Sequence, residues 1–100
     1  MIKIKVDYED GFINNFKITG HANFASYGKD IVCASVSSIV ITSVNLAITF
    51  DSDSVDYNEK EGFINVKVMK KDETINKVFQ NMVSMLKELE EQYSKNIKFI

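Results

Sequence analysis

The segment from Gly20 to Cys33 holds the residue types in this chain that could carry chemistry. It contains the only histidine, His21, and the only cysteine, Cys33, among 100 residues. A cysteine and a histidine within hydrogen-bond reach form a nucleophile and a base that also protonates a leaving amine. The chain between the two residues is long enough to fold back on itself. The pair therefore predicts cysteine-dependent cleavage of an acyl bond.

Each of these residues also has an ordinary structural interpretation. Cys33 lies between Val32 and Ala34 and could act as a small buried apolar residue. A lone loop histidine is usually a surface residue. Taken singly, both structural interpretations are favoured, and it is the pairing that favours catalysis.

Two polar residues near Cys33 could support it. Asp30 is predicted to cap a helix and accept a hydrogen bond from the Cys33 N–H, although it could instead orient His21 as a third member of a triad. Unpaired N–H groups in the first helical turn, including that of Cys33, could stabilise an oxyanion. Ser37 lies one turn after Cys33, and its hydroxyl could serve the site or bond back to the Cys33 carbonyl.

The loop before this helix is bracketed by Gly20 and Gly28. Glycines permit unusual backbone angles and easy movement. Two aromatic residues on the loop, Phe24 and Tyr27, could close over a bound peptide. The alternative is a surface loop whose aromatic rings pack against the core.

The elements that must position these residues begin with a hairpin. Apolar residues alternate with charged ones from Ile2 to Tyr8, Asp10 and Gly11 form a turn, and residues 12–19 return. Alternation of this kind predicts half-buried strands. We expect Phe12, Phe16 and Ile18 to share the inner face of the second strand.

A helix is predicted from Ile31 to Thr49. The β-branched residues of this segment favour a strand, but its length and lack of charge favour a helix largely enclosed by the rest of the protein. The uncharged run from Ile31 to Phe50 has the length of a membrane span. Its many hydroxyl groups and its flanks without a basic cluster favour a buried core helix over a membrane span.

A second hairpin and a second helix follow. Val55 and Tyr57 begin a strand that turns near residues 59–62 and returns through residues 64–68. Asp72 is the expected N-cap of a helix with an apolar stripe at three- and four-residue spacing: Ile75, Val78, Phe79, Met82, Leu86, Leu89 and Tyr93. Ile97 and Phe99 could add a short final strand.

The predicted fold is therefore a single α+β domain over residues 1–100, with the order ββαββα and both helices packed on a sheet. The tetrapeptide Gly-Phe-Ile-Asn occurs at positions 11–14 and again at 62–65, each time leaving a hairpin turn. The repeat could reflect an old duplication, but similar turn chemistry is the simpler explanation.

Composition excludes several classes of function. Fourteen acidic and twelve basic residues give a net charge of −2 with no basic patch, which argues against direct nucleic-acid binding. One histidine and one cysteine are too few for a zinc site, and phosphate-binding glycine motifs are absent, so we expect neither a metal nor another cofactor. A single cysteine cannot form an internal disulfide, and the N-terminus lacks the apolar run of a signal peptide. We therefore expect a cytoplasmic protein with no membrane partner.

Three stretches of the sequence resemble the signature of the ribosomal-processing cysteine protease family Prp: Gly20-His21-Ala22, residues 27–34 and Val36-Ser37. Chain length and element order agree as well. The resemblance implies a homodimer in which Cys33 is the nucleophile and His21 the base. Asp30 and Ser37 match motif positions whose roles are less settled.

The resemblance also implies a substrate. Members of the family remove an N-terminal extension from a protein of the large ribosomal subunit, cutting after a short hydrophobic and aromatic sequence, and ribosome function requires this cut. The loop residues expected to meet the substrate are Gly20, Ala22, Phe24, Tyr27 and Gly28. Two rival readings remain open, a non-catalytic ribosome-associated assembly factor with a structural Cys33 and a redox-sensing or dimer-linking thiol.

Overall fold

The computed structural model describes residues 1–26 and 28–100 and has the element order ββαββαβ. Its strands are β1 (Ile2–Glu9), β2 (Phe12–Thr19), β3 (Val55–Lys60), β4 (Phe63–Val68) and β5 (Ile97–Phe99). The helices are α1 (Ile31–Phe50) and α2 (Glu73–Gln92). The α+β prediction is confirmed, including the optional last strand. The second turn is tighter than expected, because β3 runs to Lys60 and leaves only Glu61 and Gly62 between the strands.

The five strands form one sheet in the order β3-β4-β2-β1-β5. Neighbouring strands are antiparallel except for β5, which runs parallel to β1. Alternate strand residues point to opposite faces of a sheet, and here the apolar set faces α1 and α2. The two helices and this face enclose one core, whose largest fully buried side chains include Phe16, Phe79, Ile4, Ile13 and Leu86.

One strand face differs from the prediction. Ile13 is buried, whereas Phe12 is only half-buried. Between the pairs Asp7–Asn15 and Tyr8–Ile13 the register advances one residue on β1 and two on β2. Asn14 is therefore the extra residue of a β-bulge, and a bulge re-aims the side chains that precede it. A strict period of two cannot anticipate this shift.

Helix α1 begins at the predicted cap and ends one residue later than expected. Its buried residues form a single stripe: Val32, Val36, Val40, Ser43, Val44 and Ala47. The expectation of a largely enclosed helix is wrong, because Ile41, Leu46 and Phe50 are exposed. In a fold of two layers, the sheet and α2 cover only one side of this helix.

Of the helices that the structure describes, α1 alone is long and apolar enough to cross a membrane. The relevant window has a mean hydropathy of 2.1 and is 33% buried. Core helices of soluble proteins pass the same test of length and composition. Helix α2 has the predicted stripe, with Ile75, Phe79, Met82 and Leu86 buried.

Sheet register brings the chemistry-bearing segment to one edge of the fold. Thr19, at the end of β2, pairs with Phe63, at the start of β4. The next residue, Gly20, donates its N–H to the carbonyl of Gly62 at 2.9 Å. Residues 20–30 then lead to the N-terminus of α1. The loop, the helix N-terminus and the β3–β4 turn therefore meet.

Candidate active site

An open cleft of about 880 Å³ lies where these three segments meet. Its walls are the loop, the first two turns of α1 and the β3–β4 turn. The residues of the cleft that matter most here are His21, Asp30, Cys33, Ser37 and Gly62. Both residues of the predicted pair thus face the same solvent-open space.

Cys33 lies in the first turn of α1 and is half-buried. Its Sγ accepts a hydrogen bond from the backbone N–H of Ala22 at 3.3 Å. The sulfur is therefore an acceptor for the backbone of the loop that carries His21, and it lies at the amino-terminal end of α1. Cys33 contacts the core at one side and the cleft at the other, so a purely apolar packing role leaves this hydrogen bond unexplained.

His21 is exposed and lies against the β3–β4 turn. A Cβ built on Gly62 would be 3.1 Å from His21 Nε2 and 3.5 Å from His21 Cε1, so the ring edge lies over this glycine. Among the described residues there is no hydrogen bond between His21 and Cys33. The two are linked through the backbone, because the residue after His21 donates to the sulfur.

Asp30 is the N-cap of α1, as predicted, and does more than cap. One carboxylate oxygen accepts from the N–H groups of Val32 and Cys33, each at 3.0 Å. The other accepts from the N–H groups of Phe24 at 2.9 Å and Ala25 at 3.3 Å. A single carboxylate thus ties the loop to the start of the helix. All four hydrogen bonds that the Asp30 carboxylate accepts come from backbone N–H groups. This arrangement does not support the alternative in which Asp30 orients His21.

Hydrogen bonding also sets the pKa of this carboxylate. Desolvation by its surroundings raises the pKa of Asp30, but the four N–H donors together outweigh it. The pKa therefore lies below the ordinary value of 3.8. Asp30 is ionised at neutral pH, and its negative charge is spread over four donors.

The Cys33 N–H was expected to be a candidate oxyanion donor, but in this arrangement it is engaged by Asp30. Ser37 lines the cleft one turn after Cys33. Within residues 1–26 and 28–100 its hydroxyl makes no hydrogen bond, so the expected alternative of a bond back to the Cys33 carbonyl is not found. Ser35 behaves differently, since its hydroxyl donates to the Ile31 carbonyl at 2.7 Å. Ser37 therefore has a hydroxyl available to a bound peptide.

The residues that were predicted to contact substrate differ in whether they line the cleft. Gly20 and Gly28 both line the cleft with positive φ angles of 88° and 83°. At Gly20 a Cβ would collide with the carbonyl oxygen of Met1, so this glycine is required by the close approach of the residue that precedes β1. Ala22 is 1% exposed and is an anchor of the loop rather than a surface for substrate.

The two loop aromatics have separate outcomes. The ring of Phe24 packs edge-on against Tyr93 with 5.4 Å between ring centroids, and Phe24 is not among the residues lining the cleft. Phe24 thus contacts Tyr93 and stays 46% exposed, and its contact with a bound peptide remains a prediction. Tyr27 lies outside the described residues.

Two site residues were missed by the sequence analysis. Asn96 donates from Nδ2 to the Ala22 carbonyl at 2.9 Å, across 74 residues of sequence. Gly62 supports His21 and accepts from Gly20. The repeated tetrapeptide was the only signal near Gly62, and it indicates turn chemistry without showing which partner lies above the turn.

In the part of the chain that the structure describes, no group of three histidine, cysteine, aspartate or glutamate side chains is arranged to hold a metal ion. The chemistry that this arrangement supports is that of a cysteine sulfur and an imidazole that face the same open cleft.

Comparison with known proteins agrees with this chemistry. The family model described as "Cysteine protease Prp" matches residues 1–98. The ribosomal processing cysteine protease Prp of Staphylococcus aureus is 29% identical over 102 aligned positions, which cover 98% of this chain and 96% of the relative. A protein of the same name from Bacillus subtilis is 44% identical over 45 residues, or 45% of this chain and 39% of that relative.

Two solved structures are similar along nearly the full chain. One is the ribosomal processing protease Prp from S. aureus with a covalently linked product peptide. It has a TM-score of 0.93 and 30% identity, and covers 99% of this chain and 97% of that one. The other holds the same protease with a substrate peptide, at a TM-score of 0.88 and 29% identity, covering 100% of this chain and 98% of that one.

Proposed function

The chain belongs to the cysteine protease Prp family, and from this premise we propose that Cys33 is its nucleophile and His21 its general base. The protein is a cysteine protease, and relatives of the same family carry out ribosomal processing. The finer proposal is that this chain removes the N-terminal extension of a protein of the large ribosomal subunit. One observation carries the residue assignment: Cys33 and His21 line the same open cleft, and the residue next to His21 donates a hydrogen bond to the Cys33 sulfur.

The reaction starts with an extended peptide lying in the cleft. His21 takes the proton of the Cys33 thiol, and the resulting Sγ thiolate attacks the scissile carbonyl carbon to form a tetrahedral oxyanion. The C–N bond then breaks while the imidazolium of His21 gives its proton to the leaving amine. A water molecule, deprotonated by His21, hydrolyses the thioester and releases the new carboxyl end of the peptide.

Binding of the peptide has to complete the pair, because His21 and Cys33 are not hydrogen-bonded in this arrangement. The loop of residues 20–28 borders the cleft, so a peptide that contacts the loop can change the position of the imidazole. Coupling substrate binding to assembly of the catalytic pair restrains cleavage of other proteins. The Ser37 hydroxyl, which lines the cleft, is our candidate oxyanion donor, since Asp30 holds the Cys33 N–H.

The substrate proposal rests on the relatives. Their name records ribosomal processing, and the solved relatives hold a substrate peptide and a covalently linked product peptide. The cleft of this chain is open and partly apolar, with Phe63, Ile64 and Ala34 along it. An apolar segment of peptide in extended conformation fits such a surface.

The decisive experiment incubates the purified chain with a peptide spanning the processing site of the large-subunit ribosomal protein and follows products by mass spectrometry. We expect one cut with the native chain, none with Cys33→Ala or His21→Ala, and traces at most with Cys33→Ser. Ser35→Ala is the matched control, because its hydroxyl is bonded back into α1. Equal cutting by the native chain and Cys33→Ala would end the proposal.

A thiol-alkylation experiment separates the protease from an assembly factor in which Cys33 only packs. At pH 7 we expect Cys33 of the folded chain to be alkylated without denaturation, because it lines the open cleft and the thiolate is the form of a cysteine that reacts. A thiol that stays inert until the protein is denatured would favour the assembly factor. Oxidation of Cys33 without any peptide cleavage would favour the redox thiol.

We further propose that the protein is a cytoplasmic homodimer. Support for the dimer is the uncharged sequence of α1, whose outer side leaves Ile31, Ile41, Leu46 and Ile48 exposed. Exposed apolar surface of this kind marks an association site. The location is tested by cell fractionation without detergent. Recovery in the soluble fraction is expected, and recovery in the membrane pellet would point to α1 as an anchor.

A further inference from the structure

The imidazole of His21 lies next to Gly62, a residue that has no side chain. It follows the end of β2 and lies beside Gly62 of the β3–β4 turn. The turn is 41 residues away in sequence, yet it lines the same cleft as His21 and Cys33. His21 follows the β1–β2 hairpin, whereas the residue next to its ring belongs to the β3–β4 hairpin.

A side chain at position 62 would occupy space next to the ring. An ideal Cβ there would lie 3.1 Å from Nε2, 3.5 Å from Cε1 and 3.8 Å from Cδ2 of His21. Contacts of 3.0–3.4 Å are tighter than nine in ten real Cβ contacts, so the neighbour would have to move. The neighbour is an exposed imidazole, which can move at little cost in stability. The displacement would therefore change the position of the ring and leave the fold intact.

The same glycine fixes the chain on which His21 is mounted. Its carbonyl accepts the N–H of Gly20 at 2.9 Å, one residue before His21. Gly62 thus acts at two points: its carbonyl holds the residue before His21, and its lack of a side chain leaves space for the imidazole ring.

From these contacts we propose that Gly62 is a positioning residue for His21, and that the β3–β4 turn sets where the imidazole stands relative to Cys33. The inference rests on the proposed role of His21 as the base. Gly62 itself touches no reacting atom. Its contribution is the space that it leaves and the carbonyl that it presents.

The chain contains its own matched control. Gly11 lies in the other hairpin turn and precedes the same three residues, Phe-Ile-Asn. Its φ is +81°, close to the +68° of Gly62, so alanine is strained to a similar degree at either position. The difference is the surroundings, because a Cβ at Gly11 would meet nothing within 4 Å.

The experiment compares Gly62→Ala with Gly11→Ala. We expect similar falls in melting temperature, since both carry the strain of a positive φ. For peptide cleavage we expect kcat to fall about tenfold or more in Gly62→Ala, with KM little changed, because small misplacement of a catalytic group is costly. Gly11→Ala should retain activity within about twofold of the native chain. Equal kcat values for the two variants would overturn the proposal.

A second pair of variants separates backbone strain from contact with the ring. Asparagine tolerates positive φ better than alanine but also has a Cβ. If strain were the cause of lost activity, Gly62→Asn would recover it. We expect Gly62→Asn to stay as impaired as Gly62→Ala while regaining part of the melting temperature. Recovery of kcat by asparagine would refute a role for the missing side chain.

An NMR measurement tests the positioning without any activity. The ring signals of His21, recorded in a Cys33→Ala background, should shift in Gly62→Ala and stay unchanged in Gly11→Ala. Shifted signals together with a native chain that cuts no peptide would reject the proposed function but keep the contact. Unshifted signals together with an active native chain would reject the positioning role alone.

Discussion

At the scale of single residues, the carboxylate of Asp30 both caps a helix and binds the backbone of a loop. Its carboxylate caps α1 with one oxygen and holds the loop with the other. Asparagine keeps one oxygen but replaces the second with an amino group, which cannot accept from Phe24 and Ala25. Asp30→Asn should therefore retain the helix cap and release the loop, whereas Asp30→Ala should lose both.

We predict that Asp30→Ala lowers the melting temperature by about 4–8 °C, as loss of an N-cap does in a domain of this size. Asp30→Asn should lower it less but impair cleavage nearly as much, because the loop is no longer tied to the helix. Both are measured by thermal unfolding and peptide cleavage. Full activity of Asp30→Asn would show that the loop ties do not matter.

The pKa of Asp30 also predicts a dependence of stability on pH. Because the pKa in the folded state is lowered below 3.8, the carboxylate stabilises the fold fully at pH values above the unfolded pKa. This contribution is lost as the pH falls through the folded value, that is, below about pH 4. Thermal unfolding of the native chain and Asp30→Asn between pH 3 and 7 should show the two melting temperatures converging at the acid end. A constant difference would contradict the linkage.

Ser37 offers a second test at this scale. Its hydroxyl lines the cleft without a partner among the described residues, and it is our candidate oxyanion donor. We predict that Ser37→Ala lowers kcat by about tenfold or more, toward the range seen when one oxyanion donor is removed, and leaves stability nearly unchanged. Ser35→Ala should leave kcat unaltered. Equal kcat values in both serine variants would exclude Ser37 as a donor.

At the scale of elements, the start of the loop is held by contacts distant in sequence, whereas a later part is held by a contact only five or six residues away. Its start is fixed by Gly62 and Asn96, and its later part by Asp30. Asn96 lies just before β5, and its own carbonyl accepts the N–H of Ile2 at 2.8 Å. The short β5 therefore matters to the site beyond the three residue pairs that it adds to the sheet.

We predict that Asn96→Ala loosens the start of the loop, because the Ala22 carbonyl loses its donor. A part-buried hydrogen bond is worth about 1 kcal/mol, which corresponds to roughly fivefold faster hydrogen exchange in residues 20–26. Asn81, exposed on α2, provides the control variant Asn81→Ala. Unchanged exchange in Asn96→Ala would show that the contact does not order the loop.

At the scale of the whole molecule, the main question is what covers the outer side of α1. The helix carries no charge, and next to it a groove of about 220 Å³ runs along α2, lined by Leu46, Val78 and Met85 among others. Stable dimers bury about 800 Å² on each partner. A helix of 20 residues is about 30 Å long and about 10–12 Å wide, so its outer side supplies part of such an interface and the neighbouring surface has to supply the rest.

We predict that the native chain has twice the mass of one chain by light scattering. Ile41→Glu and Leu46→Glu should convert it to a monomer, because the new charges would be buried without partners. Tyr8→Glu is the control, since Tyr8 is an exposed apolar residue that lies on β1 and not on either helix. A native chain of single mass would reject the proposed dimer.

The sequence by itself determined the elements and the segment that holds the proposed catalytic pair. Period-two and helical patterns depend on neighbours a few residues apart, and capping by Asp30 and Asp72 involves residues within one turn. These local rules therefore predicted both hairpins, both helices and the segment that holds His21 and Cys33. The family signature was equally local, because it lies within residues 20–37.

Tertiary structure alone decided the surroundings of those atoms. The bulge at Asn14, the placement of Gly62 under His21 and the bond from Asn96 to Ala22 depend on sheet register and on contacts across as many as 74 residues. Such contacts follow from how the layers pack, and no short pattern encodes them. The exposure of the outer side of α1 was missed for the same reason. A helix without charged residues has the same sequence pattern whether its own domain or a partner covers it.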